Sequence, residues 1–139
     1  MSVGSVSGRA SRLDVLRQVI TFVCVGGFAT ALHYALMFAL IYTLDARPVS
    51  ASTIGFLVSA VFNFALNARF TFKSKQSVLR TAPRFAIVAA SGLLLNRYML
   101  ALLLSLDIRV FIGQIMATLC VLSWNYIINA LWTFKAKRG

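Results

Sequence analysis

The chain has 139 residues, 60% of them hydrophobic, with a formal net charge of +11 and a mean hydropathy of +0.83. A water-soluble domain of this size needs more polar surface than that composition supplies, which excludes the ordinary soluble classes. The basic residues flank apolar stretches and do not gather on one polar face, which argues against a nucleic-acid partner.

Residues 1–11 open with a Ser/Gly/Val-rich run and read as a disordered N-terminus. Ser11-x-x-Asp14 is a weak capping-box-like start, and Leu13, Val15, Leu16 and Arg17 are placed along an interface before the chain turns inward. Four apolar stretches follow, at about 18–44, 49–72, 85–106 and 110–134. Each is long enough to cross a hydrocarbon core of ~30 Å, which takes ~20 helical residues. Their apolar runs are continuous, without the alternation of barrel strands, so helices are expected. The first stretch is about twice the ~7–15 residues of a leader's apolar region, and reads as a span. Pro48 suits the start of the second helix and Pro83 the first turn of the third, leaving 73–83 as the one sizeable loop.

Basic residues lie unevenly between the links. Arg9, Arg12 and Arg17 precede the first span, Arg69, Lys73, Lys75, Arg80 and Arg84 separate the second from the third, and Lys135, Lys137 and Arg138 follow the fourth. The other two links carry Arg47 and Arg109, each balanced by an aspartate. Eleven against two is a strong positive-inside bias, so both termini are expected in the cytoplasm, on a surface that also attracts anionic lipids. Cys24 and Cys120 fall inside apolar stretches and read as small packing residues, not as a disulfide. Neither a metal site nor a cofactor is expected from a chain with one histidine and no Cys/His cluster.

One motif occurs twice. Asn63-Phe64-Ala65-Leu66-Asn67-Ala68-Arg69-Phe70-Thr71-Phe72-Lys73 returns 62 residues later as Asn125-Tyr126-Ile127-Ile128-Asn129-Ala130-Leu131-Trp132-Thr133-Phe134-Lys135. The expected fold is therefore an all-α membrane protein of four transmembrane helices, built as two parallel two-helix repeats. Ala51, Gly55, Ser59, Asn63 and Asn67 step by four along the second helix, as Gly113, Ala117, Val121, Asn125 and Asn129 do along the fourth. Small residues let backbones approach and amides in lipid need partners. The four amides read as polar helix glue or as the lining of a cavity. Trp132, Phe70, Phe72 and Phe134 read as interfacial anchors, with Lys73 and Lys135 placed to attract a phosphate headgroup.

Arg97 lies thirteen positions past Arg84, about 20 Å along the third helix at ~1.5 Å per residue. The chain has no glutamate, and its three aspartates, Asp14, Asp45 and Asp107, lie at helix ends. An intramembrane guanidinium without a carboxylate suits a phosphate-bearing ligand, unless its side chain reaches out to headgroups. His33 falls at a similar depth, with Tyr34 and Tyr98 near it, and Asn96 is turned about 100° from Arg97 toward another surface.

These residues resemble the GtrA-like family of small four-helix membrane proteins. The likeness covers about 12–138 and rests on Phe22-Val23-Cys24-Val25-Gly26-Gly27, on Arg84-Phe85 and on the two Asn…Asn…Thr-Phe motifs. Thr21 departs from the basic residue common before that phenylalanine. The resemblance implies flipping of a polyprenyl-phosphate-linked sugar, such as undecaprenyl phosphate-glucose, for cell-surface polysaccharide synthesis. It also implies a link to membrane glycosyltransferases, to which some related domains are fused. The expected binding residues are Arg97, His33, Asn63, Asn67, Asn125, Asn129, Tyr98, Lys73 and Lys135, and a homo-oligomer is expected because four helices enclose little volume. A scaffold for a polyprenyl-phosphate glycosyltransferase is the alternative. A cation exporter lacks its membrane carboxylate, and a hydrolase or transferase lacks a Ser/His/Asp set, paired carboxylates or a metal cluster.

Overall fold

The computed structural model is built of four helices: α1 Arg12–Leu44, α2 Pro48–Phe70, α3 Lys75–Ser105 and α4 Val110–Ala136. It describes residues 12–70 and 75–136, without the side chains of 18, 75–77, 129–130 and 133–136. The N-terminal stretch 1–11, with its Ser11 cap, and Phe72 lie outside the described residues, as does the side chain of Phe134. Each helix contains a window apolar enough to cross a membrane, of mean hydropathy 1.8 in the first three and 1.5 in the fourth.

Two boundaries differ from those the sequence suggests. α1 is one continuous helix of 33 residues, so Leu13, Val15, Leu16 and Arg17 continue its axis with no turn before the apolar run. At ~1.5 Å per residue it is about 50 Å long, more than the ~30 Å of a hydrocarbon core. α3 starts at Lys75, so Pro83 sits inside the helix and most of the expected 73–83 loop is helical. Leu79, Arg80 and Ala82 are good helix formers, and one missing N–H near a helix end costs less than unwinding two turns.

The interior mixes polar side chains with an apolar core, while many large apolar side chains face outward. His33, Ser52, Ser59, Asn67, Asn96 and Gln114 are buried, whereas Phe22, Val23, Phe28, Leu57, Val61 and Phe62 are exposed. Lipid gives apolar side chains no reason to turn inward, and polar side chains find their partners only inside. Cys24 is exposed, so it is not the interior packing residue its apolar setting suggests, and Cys120 is half-buried.

α1 and α2 form one hairpin and α3 and α4 another, with a less extensive seam between α2 and α3. The two hairpin links turn alike. Asp45 and Asp107 adopt left-handed φ values of 50° and 57°, which a short polar side chain tolerates better than most. Ala46 N–H then donates to Leu40 O at 3.2 Å, and Ile108 N–H to Leu103 O at 3.1 Å. Within the first hairpin Gly55 sets the closeness of approach. A Cβ there would lie 2.7 Å from the His33 carbonyl oxygen and 2.9 Å from its ring.

Candidate functional site

The bundle has one end carrying the α2–α3 link and the outer ends of α1 and α4, here the terminal end, and an opposite end carrying the two short links. A cavity of about 470 Å³ occupies the half nearer the terminal end. Gly26, Gly27 and Thr30 line it from α1, Ser59 and Asn63 from α2, and it ends against His33, Asn96 and Thr118. A Cβ added at Gly26 or Gly27 would meet nothing within 4 Å, so these glycines leave room. Among the described residues, no Lys, Arg, Asp or Glu lines it. Beyond its floor the bundle is closed by Met37, Ala51, Leu100 and Ala117, all fully buried.

The floor is a hydrogen-bonded cluster drawn from all four helices. His33 Nε2 lies 3.2 Å from Ser52 Oγ. Ser52 Oγ donates to Gln114 Oε1 at 2.7 Å and accepts from Asn96 Nδ2 at 2.8 Å. Gln114 Nε2 donates to Asn96 Oδ1 at 2.9 Å and to Thr118 Oγ1 at 3.2 Å. Tyr34 OH closes the set, 2.7 Å from Thr118 Oγ1. The amide, hydroxyl and imidazole groups of the cluster largely bond one another, and His33, Asn96 and Thr118 are its members that also line the cavity.

The expected site residues whose side chains are described separate into three groups. His33 and Asn63 face the cavity together. Asn67 stands behind them, its Nδ2 donating to Asn63 Oδ1 at 2.8 Å and to Asn63 O at 3.0 Å, and Asn125 is half-buried near Gly92. Arg97 and Tyr98 are on the outside of the bundle, Tyr98 with 69% exposure, and Arg97 Nη1 donates to Thr53 Oγ1 at 3.2 Å. Lys73 lies outside the described residues, as do the side chains of Asn129 and Lys135. Nearer the terminal end, Arg84 stacks on Trp132 at 4.8 Å and Trp124 Nε1 donates to Ser91 Oγ at 3.0 Å, tying α3 to α4.

Three floor residues escape a reading of the sequence, Ser52, Gln114 and Thr118, while Asn96 is read only as facing another surface than Arg97. One signal was available. Ser52 and Gln114 are 62 positions apart, the spacing of the duplicated motif, and they bond each other. Asn96 and Arg97 do diverge as helix geometry requires, but the amide is the inward one and the guanidinium the outward one.

Four helices, each long and apolar enough to cross a membrane, define a multi-pass membrane protein. The chain belongs to the GtrA/DPMS transmembrane domain family, which matches residues 21–134. It is 30% identical over 66 residues to the bactoprenol-linked glucose translocase of Shigella phage SfII, covering 48% of this chain and 55% of that protein. A prophage bactoprenol-linked glucose translocase homolog of Escherichia coli K12 is 29% identical over 66 residues, with the same shares covered. The chain thus spans about half the length of these curated relatives. The cell wall teichoic acid glycosylation protein GtcA of Listeria monocytogenes is 25% identical over 130 residues, 90% of each chain. No solved structure matches.

Proposed function

We propose that this protein moves a polyprenyl-phosphate-linked sugar across the cytoplasmic membrane, for synthesis or modification of cell-surface polysaccharide. The observation that carries the reading is the uncharged cavity with a hydrogen-bonding floor, set among lipid-facing helices in a family with members named bactoprenol-linked glucose translocase. A sugar entering lipid loses its water, and preplaced donors and acceptors offset that loss. His33 and Asn63 contact the sugar in this reading, joined by Asn96 and Thr118 on the floor. Asn67 positions Asn63, and Asn125 and Asn129 act on the α4 side. Lys73 and Lys135 gather the anionic headgroup, and Arg97 with Tyr98 holds the phosphate from outside the cavity. The carrier moves without chemical change, so the protein acts as a transporter and not as an enzyme.

The basic residues at the terminal end support a cytoplasmic location for both termini, and so a cavity in the cytoplasmic half of the bundle. Three pairs support a duplicated hairpin: the Asn motifs, Ser52 with Gln114 and Asp45 with Asp107, all 62 positions apart. A homo-oligomer would cover part of the exposed apolar face. A scaffold for a membrane glycosyltransferase is the second reading, favoured by the outward Arg97, which a partner's intramembrane acid would pair. Reconstitution into vesicles loaded with a polyprenyl-phosphate sugar separates the two. Transport requires protein-dependent exposure of the sugar on both faces, whereas a scaffold shows none and instead co-purifies with a transferase.

A further inference from the structure

The α2–α3 seam has an inner and an outer side. Inside is the cavity. Outside, an apolar groove of about 460 Å³ runs between the two helices, with Leu57 and Val61 on one bank and Ala82, Ala86 and Ala90 on the other. Both voids touch Phe56, Ala60, Phe85 and Ala89, so a single layer of side chains divides them, and two of those side chains are methyl groups. Toward the short links the seam ends in a double rung. Asn96 Nδ2 donates to Ser52 Oγ at 2.8 Å on the inner side, and the next residue, Arg97, donates to the next hydroxyl, Thr53 Oγ1, at 3.2 Å on the outer side.

Thr53 precedes Leu57 by four residues and Arg97 follows Leu93 by four, so this outer rung continues the two banks of the groove. A guanidinium is thereby exposed at the end of a hydrocarbon-lined channel, with a neutral hydroxyl as its partner among the described residues. Such a charge within a membrane span calls for an anion.

We infer that the α2–α3 seam is the lateral portal for the carrier lipid. The prenyl chain lies in the outer groove, the phosphate binds Arg97, and the sugar crosses the thin wall to the floor at Asn96. This rests on the transport reading and adds to it the route and the separation of the lipid's three parts. A sugar and its phosphate are covalent neighbours that need different surroundings at one depth, one neutral and one cationic. Consecutive α3 residues, one facing in and one facing out, supply that pair. A phospholipid would satisfy Arg97 and the groove but leave the floor unused.

The test uses the full chain in vesicles with a prenyl-phosphate hexose carrying a diazirine on the first isoprene units, and labelled residues are mapped by mass spectrometry. The portal predicts labels on Leu57, Ala90 and Leu93, the groove residues nearest Arg97 along the helices. Labelling should fall roughly tenfold in Arg97→Gln, the loss of one charge-assisted contact, with partial rescue by Arg97→Lys. Ala86→Trp should reduce it by filling the groove while Arg97 stays in place. Labels on Phe22, Val23 and Leu122 that are indifferent to Arg97→Gln would overturn the portal yet leave transport standing. Groove labelling without protein-dependent sugar movement would keep the lipid site and sink the transport reading. Labelling no stronger than that of an unrelated membrane protein would overturn the site itself.

Discussion

Replacing Gln114 by leucine removes the centre of the floor at nearly constant volume. Gln114 is fully buried and makes three side-chain hydrogen bonds, to Ser52 at 2.7 Å, to Asn96 at 2.9 Å and to Thr118 at 3.2 Å. The first two join α4 to α2 and α3. Interhelical hydrogen bonds in membranes average about 0.6 kcal/mol and reach about 1.7, so the pair contributes roughly 1–3 kcal/mol. Ser52 has His33 and Asn96 as other neighbours, but Asn96 Oδ1 loses its donor in a residue only 1% exposed. An unmet buried acceptor adds about 1–3 kcal/mol, for a total of roughly 2–6 kcal/mol. Equilibrium unfolding in mixed micelles measures it, with Asn96→Leu and the double variant completing a cycle whose coupling should be about 1 kcal/mol. A Gln114→Leu protein within about 0.5 kcal/mol of the parent, with no coupling, would refute the cluster as a source of stability.

Glycines offer a paired contrast. Gly55→Ala places a methyl 2.7 Å from the His33 carbonyl oxygen and should destabilise the protein by about 1–3 kcal/mol, while Gly26→Ala meets nothing within 4 Å and should hold or gain up to about 1 kcal/mol; thermal unfolding in detergent compares them. Gly26→Leu should narrow the cavity and slow sugar movement at least about tenfold, read by the vesicle assay alongside a melting curve. Asp45→Gly and Asp107→Gly relieve left-handed φ values of 50° and 57°, so each should raise stability by roughly 0.5–1 kcal/mol in the same unfolding assay.

Membrane-spanning helices are legible in this sequence because apolar runs of span length admit few alternatives. Helix ends were less so. Lys75 to Ala82 is polar enough to look like a loop, yet helix propensity carries α3 through it and leaves Pro83 internal. The site was partly legible. His33 announced itself as the one histidine and Asn63 through its repeated motif, and both reach the cavity. Ser52, Gln114 and Thr118 are common residue types whose meaning depends on helix rotation, which a nearly uniform apolar surround does not reveal. The rotation of α3 mattered most. The sequence shows that Asn96 and Arg97 face apart, but only packing against Ser52 and Thr53 determines which of them faces in.

The most direct test of the central claim is the rate at which a polyprenyl-phosphate sugar sealed in the inner leaflet becomes accessible outside vesicles holding the purified protein, with the Gly26→Leu protein as comparison. Fast, protein-dependent exposure is expected of the parent and at least about a tenfold slower rate with the narrowed cavity, both proteins being equally folded. Equal rates for the two would contradict passage through the cavity, and no rate above protein-free vesicles would contradict transport.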